Sequence, residues 1–299
     1  MASRTDDAAL APSLASDLAT LFKLRIAVFV AVAAFVGALV APATDFALAR
    51  ACEASVWITL SAAAASAFNQ VIERDTDRLM QRTRLRPVAA GRLSARDALL
   101  VASLLALAAV LFLCVRFNLV AGLLALGTLF AYVAVYTPLK RHSTLNTRVG
   151  AVPGAAPPLL GYAAIAGSVE GWALILFAIV FVWQFPHFMA IAWLYREDYA
   201  RGGYKMLPVV DPSGRRAGVQ AVLSAAALIP VSTIPALAAP GWGGPLYLVI
   251  VTLLGLAQLL VAALFLAQMN RESARRLLRM SLIYLPILLG LLVLVPWIK

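Results

Sequence analysis

Nine apolar runs of membrane-spanning length divide this chain, at about residues 26–43, 56–72, 98–115, 119–136, 149–166, 172–194, 219–239, 246–267 and 281–297. A run of roughly 17–25 apolar residues can sit in lipid only as a helix, because each backbone N–H and C=O must be satisfied within the segment. The runs therefore predict an all-α, polytopic membrane protein of about nine helices. Several lie near the short limit or contain Pro and Gly, so eight or ten helices are the alternatives. Composition agrees, with 63% hydrophobic and 13% charged residues where soluble domains have about half and a quarter. The first run ends at Ala41-Pro42-Ala43, which resembles a signal-peptidase site. Its length and the acids ahead of it favour a first membrane helix over a cleaved leader.

The net charge of +11 does not mark a nucleic-acid binder. With the N-terminus in the cytoplasm, all of the 25 Lys and Arg residues except Arg50, Arg116 and Lys299 fall in the inner segments, which is the positive-inside pattern. The two cysteines, Cys52 and Cys114, make neither a metal motif nor a disulfide framework.

The inner end of the second run carries the densest chemistry, the stretch from Asn69 to Ser94. Asn69, Glu73 and Asp77 stand at i, i+4 and i+8, one face of a helix, whereas Asp75 points roughly 200° from the middle of that face. Three oxygen donors at the end of a rigid element suit Mg²⁺ when phosphate completes its shell. Arg82, Arg84 and Arg86 follow, offering charged donors to phosphate oxygens. Together they suggest a metal-bridged diphosphate. The bland reading is a solvated run in which Glu73, Asp75 and Asp77 pair with Arg74 and Arg78.

Two further features stand on later helices. Pro153-Gly154-Ala155-Ala156-Pro157-Pro158 interrupts the fifth run; broken backbone at membrane depth borders a cavity, or the helix is merely kinked for packing. The sixth run holds Trp183-Gln184-Phe185-Pro186-His187 and leads to Asp198 and Gly202-Gly203-Tyr204-Lys205. Its acidic end repeats that of the second run four helices earlier, which suggests two four-helix halves plus a ninth helix. A transporter is the alternative from another class, since intramembrane acids and a broken helix also suit a substrate path. Acids gathered on the inner side, with none at the centre of a run, argue against it.

Asn69-x-x-x-Glu73-x-x-x-Asp77, continuing into Arg82-Thr83-x-x-Arg86-Pro87 and Gly91, resembles the first aspartate-rich motif of the UbiA-type intramembrane prenyltransferases. The segments Tyr136-Thr137-Pro138-Leu139-Lys140-Arg141-His142-Ser143, Gly154 to Pro158, Trp183 to His187, and Asp198-Tyr199 through Met206-Leu207-Pro208 resemble the heme-farnesylating branch of that superfamily. The resemblance runs from about Leu21 to the end of the chain. It implies helices around a central cavity, Mg²⁺ as cofactor, and farnesyl diphosphate and heme b as substrates. Farnesyl would go to a heme vinyl group with addition of water, giving heme O and diphosphate; an aromatic quinone precursor is the runner-up acceptor.

By position, the resemblance makes Asn69, Glu73, Asp77 and Asp198 the catalytic, metal-holding set. Lys23, Arg25, Arg82, Arg86 and Lys140 would meet the diphosphate, with Tyr136, Trp183 and His187 at the substrates. His187 is the best-placed imidazole to ligate heme iron or to reach a propionate, with His142 the alternative. Glu73 replaces the Asp of many bacterial members, and Gly202 stands where the wider superfamily has a second acid, which puts a symmetric two-metal site in doubt. Residues 1–22 are then a flexible or interfacial cytoplasmic tail and 23–299 a single transmembrane prenyltransferase domain in the bacterial cytoplasmic (inner) membrane. Its partners would be membrane lipid and a downstream heme A synthase or oxidase assembly factor, with no role for nucleic acid.

Overall fold

A computed structural model describes residues 12–42, 48–238 and 244–294. Half of the expected N-terminal tail (residues 1–11), Ala43, Ala239 and the end of the ninth run lie outside them. The described residues form fourteen helices and no strand. Ser13 caps α1 (Leu14–Leu21) by accepting from the Ser16 N–H, and α2 (Leu24–Val40) follows at a bend of 49°. Lys23 makes that bend with a left-handed backbone, φ 49°, a conformation that costs a non-glycine residue about 1 kcal/mol or more.

The chain then runs through α3 (Leu48–Ile72), the short α4 (Arg74–Leu79) and α5 (Ala95–Phe112), which Ser94 caps through the Asp97 N–H. A π-helical turn at Leu113–Phe117 extends α5, Asn118 caps α6 (Leu119–Phe130), and a second π segment, Ala131–Tyr136, leads into α7 (Thr137–His142). There follow α8 (Asn146–Ala166), α9 (Gly171–Leu194), the short α10 (Arg196–Arg201) and α11 (Leu207–Val210), then α12 (Arg215–Ala238), α13 (Gly244–Gln268) and α14 (Arg271–Leu294). Eight helical spans among the described residues are long and apolar enough to cross a membrane, or nine if the bent α1–α2 pair is one span. This is an integral membrane protein of the expected all-α class.

Three expectations shift. Helix α8 keeps its helical path through Pro153, Pro157 and Pro158, so the proline-rich segment is a packed helix, with nearly every residue from Pro153 to Ala164 buried. The last span begins at Arg271 rather than near residue 281, because its basic first turns continue the same helix beyond the apolar run. Within the expected tail, residues 14–21 are helix α1, with Asp17 buried against Arg92 at 2.7 Å.

Lipid is as apolar as leucine, so helices in a bilayer are held by close fit and polar contacts. Here α8 is the hub, and it meets α2 backbone to backbone. A Cβ on Gly161 would come within 1.9 Å of the Ala34 carbonyl oxygen, and one on Gly37 within 1.9 Å of that of Pro158. Larger side chains such as Leu104, Leu123, Phe130 and Leu253 point outward instead. Since successive spans alternate in direction, the start of α2 and the ends of α3, α7 and α9 gather at one end of the bundle.

Candidate active site

The acidic motif is built as its spacing requires. Helix α3 loosens at Glu73 (φ −92°, ψ 4°), yet the Glu73 N–H still donates to the Asn69 carbonyl at 2.9 Å and the Asp77 N–H to that of Glu73 at 2.7 Å. Helical register thus survives the junction, and Asn69, Glu73 and Asp77 are all buried on one wall of a cavity of about 860 Å³. Asp75 faces away: its side chain is 68% exposed and pairs with Arg74 and Arg78.

Each of these three side chains has a nitrogen against it. Lys140 Nζ lies 2.7 Å from Glu73 Oε1, Arg86 Nη1 lies 2.8 and 3.0 Å from the two Asp77 oxygens, and Lys23 Nζ donates to Asn69 Oδ1 at 3.1 Å. The Asn69 amide in turn donates to Thr137 Oγ1, whose hydroxyl bonds the Tyr132 carbonyl five residues back, across the π segment. Burial raises the Glu73 carboxyl, but Lys140, with Lys23 and Arg86 behind it, outweighs burial and holds it below the usual range. At Asp77 burial wins over Arg86, and the carboxyl is pushed up.

Arg25 and Arg82 complete the cationic lining. The Arg82 guanidinium lies over the rings of Tyr195 and Tyr199, 4.9 and 5.7 Å from their centroids. Tyr136 also lines the cavity, its ring 4.6 Å from Lys140 Nζ and seated over Gly150 of α8, which has no Cβ to obstruct it. Toward the membrane, Leu24, Ile26 and Val28 of α2 add an apolar flank, while Ser16, Ala19 and Thr20 of α1 form an edge.

Asp198 is not brought to this wall. Its buried carboxylate accepts from the backbone N–H groups of Gln81 and Arg82 at 3.0 and 3.1 Å and pairs with Arg201 at 2.7 Å. Burial raises this carboxyl, but those donors outweigh it and hold it low. Among the described residues no three acidic, His or Cys side chains stand ready as a metal cluster. Asp198 instead organises the segment that carries Arg82. Gly202 backs onto α4, where a Cβ would meet Met80 Sδ at 3.0 Å and Thr76 Cγ2 at 3.1 Å, so the position of the second acid is filled by packing. Both acidic ends share one construction, a long span, a single loosened residue (Glu73 or Tyr195) and a six-residue helix.

Trp183 and His187 lie away from the cavity wall. The Trp183 Nε1–H donates to the Ser281 carbonyl at 2.8 Å, and its ring stacks on His187 at 5.0 Å. His142, at the end of α7, is exposed. Several lining residues were not anticipated: Tyr132, Tyr199, Tyr204, Met80 and Met206. Tyr132 was legible, since Tyr132, Tyr136 and Lys140 repeat the i, i+4, i+8 spacing of the acidic motif. The buried Tyr204 hydroxyl lies close to the Glu73 carboxylate, and burial first, with Glu73 beside it, raises its phenol.

The fold resembles several solved structures. A digeranylgeranylglyceryl phosphate synthase superposes with a TM-score of 0.77 at 15% identity, covering 95% of this chain and 98% of that one. A UbiA homologue from Archaeoglobus fulgidus, bound to DMAPP and Mg²⁺, gives 0.68 at 16% identity, covering 95% and 100%. In sequence, the chain is 42% identical to the protoheme IX farnesyltransferase of Salinibacter ruber over 94% of this chain and 98% of that one. It is 46% identical to that of Solibacter usitatus over 79% and 80%. The model of the UbiA prenyltransferase family matches residues 30–284. By sequence across most of its length and by fold, the chain belongs to the UbiA prenyltransferase family.

Proposed function

We propose that this protein transfers the farnesyl group of farnesyl diphosphate to a vinyl carbon of heme b, with addition of water, giving heme O and diphosphate. Relatives named for farnesyl transfer to protoheme IX support the reading. The observation that carries the chemistry is the wall itself, where two buried carboxylates and an amide oxygen face Lys23, Arg86 and Lys140.

That wall suits Mg²⁺. All its donors are hard oxygens, and it offers the one or two carboxylates this ion takes when phosphates supply the rest. Asn69, Glu73 and Asp77 would hold the ion, which when bound neutralises charge on the leaving diphosphate. Lys23, Arg25, Arg82, Arg86 and Lys140 bind diphosphate oxygens through charge-assisted hydrogen bonds. Asp198 keeps Arg82 in place from behind.

As the allylic C–O bond breaks, its electron pair leaves on the diphosphate, and the Tyr132 and Tyr136 rings present π faces to the carbocation. Leu24, Ile26 and Val28 guide the apolar chain and keep water from it. The terminal vinyl carbon forms the new C–C bond; water adds to the neighbouring carbon and releases one proton. The distribution of Lys and Arg supports a cytoplasmic N-terminus and active-site face in the bacterial inner membrane.

The test is one incubation of the purified protein with Mg²⁺, farnesyl diphosphate, heme b and 4-hydroxybenzoate, read by mass spectrometry. Heme O is the expected product. Prenylated benzoate beside unchanged heme b would overturn the acceptor and leave the diphosphate chemistry standing.

A further inference from the structure

A second polar constellation joins α9 to α14 outside the cavity wall. His187 Nδ1 lies 2.9 Å from Ser281 Oγ, and that hydroxyl donates to the Leu278 carbonyl at 2.7 Å. A serine has a single hydroxyl proton, so toward His187 its oxygen accepts. In the neutral imidazole the proton then sits on Nδ1, and Nε2 carries the lone pair. The Trp183 Nε1–H donates to the backbone carbonyl of the same serine at 2.8 Å and stacks its ring on the imidazole, the planes 24° apart. Ser281 is fully buried and Trp183 nearly so, whereas His187 keeps part of its surface open. Among the described residues Nε2 has no hydrogen-bond partner.

A histidine retained only for packing needs no hydroxyl that fixes its tautomer. A ligating histidine almost always has such a partner, because the hydrogen bond at one ring nitrogen orients the ring and raises the basicity of the other. We infer that Ser281 is a positioning residue which holds His187 as the Nδ1–H tautomer, so that Nε2 ligates the iron of the heme b acceptor. The inference rests on the heme reading above and adds the residue that sets the ligand. Ser281 touches no substrate; it acts through His187.

The experiment uses the full chain in nanodiscs, titrated with ferric heme b and followed by the Soret band and electron paramagnetic resonance. The wild type gives an imidazole-ligated spectrum, and His187→Ala abolishes it. Ser281→Ala, which spares the Trp183 bond to the backbone, lowers heme affinity about tenfold, the lower end of what such supporting hydrogen bonds contribute, and alters the spectrum. Ser281→Thr restores both, and farnesyl diphosphate affinity is unchanged throughout. Ser281→Cys, similar in size and a poor acceptor, gives the same readout should the alanine variant not fold.

A Ser281→Ala protein with the wild-type spectrum and affinity, or a His187→Ala protein that stays imidazole-ligated, overturns the inference. Wild-type turnover separates the two readings. Imidazole-ligated heme without heme O would sink the transfer and leave the positioning intact; heme O from a protein insensitive to Ser281 would do the reverse.

Discussion

Lys140→Met is the most informative perturbation of the site. The Lys140–Glu73 pair is 2.7 Å long, with side chains only 10% and 7% exposed. At an effective dielectric of about 20, unit charges at that separation attract by roughly 6 kcal/mol, and desolvation offsets much of this. Removing one partner leaves a buried charge uncompensated, a loss of about 3–5 kcal/mol. At roughly 2–4 °C per kcal/mol, the variant should melt on the order of 10 °C lower in nanodiscs. Glu73 also gives a pH signature. Its carboxyl is held low in the folded protein, so the pair stabilises at neutral pH and is lost as pH falls through the folded value. Without Lys140, burial is opposed only by more distant cations, and the loss begins at a higher pH. Adding Glu73→Leu removes the orphaned carboxylate and should recover most of the melting temperature, yet no turnover. A single variant that melts with the wild type, or a double variant no more stable than the single, would refute the reasoning.

Three further outcomes follow from the same geometry. Asp77→Asn should abolish Mg²⁺-dependent turnover while Asp75→Asn, whose side chain is largely in solvent, retains most of it, measured as heme O formed per minute. Arg86→Ala should weaken farnesyl diphosphate binding by tenfold or more, since a hydrogen bond to a charged group contributes about 1.5–3 kcal/mol; calorimetry with the diphosphate reads this directly. Gly161→Ala forces a methyl against the Ala34 carbonyl and should cost about 1–3 kcal/mol, seen as a lower melting temperature with unchanged Mg²⁺ dependence.

The fold class was legible because lipid leaves a long apolar run one way to satisfy its backbone. The acidic wall was legible for a related reason: a four-residue spacing survives the loosened turn at Glu73, since the backbone bonds on either side of it persist. Proline was misleading. Pro153, Pro157 and Pro158 suggested a break, but neighbours press on α8 from nearly all sides and hold it helical. Asp198 was misplaced for a different reason. Sequence shows that an acid ends the sixth span, but not that the chain after Asp77 turns its Gln81 and Arg82 N–H groups toward that acid. Long-range backbone donors have no sequence signature. The same holds for His187 and Ser281, 94 positions apart.

The contact between α2 and α8 has a consequence for how its history can be read. At Gly37 and Gly161 an added methyl would strike the opposite backbone, the atoms of Pro158 at one and of Ala34 and Ala38 at the other. No substitution in the facing helix can make room, because there is no side chain there to shorten. Gly154 differs: its obstacle is the end of the Gln184 side chain, which a smaller partner would remove. Across descendants of this gene, Gly154 and position 184 are free to change together, while Gly37 and Gly161 can only stay as they are. Paired changes in an alignment would thus pass over this backbone-to-backbone contact, which would register only as two columns of glycine.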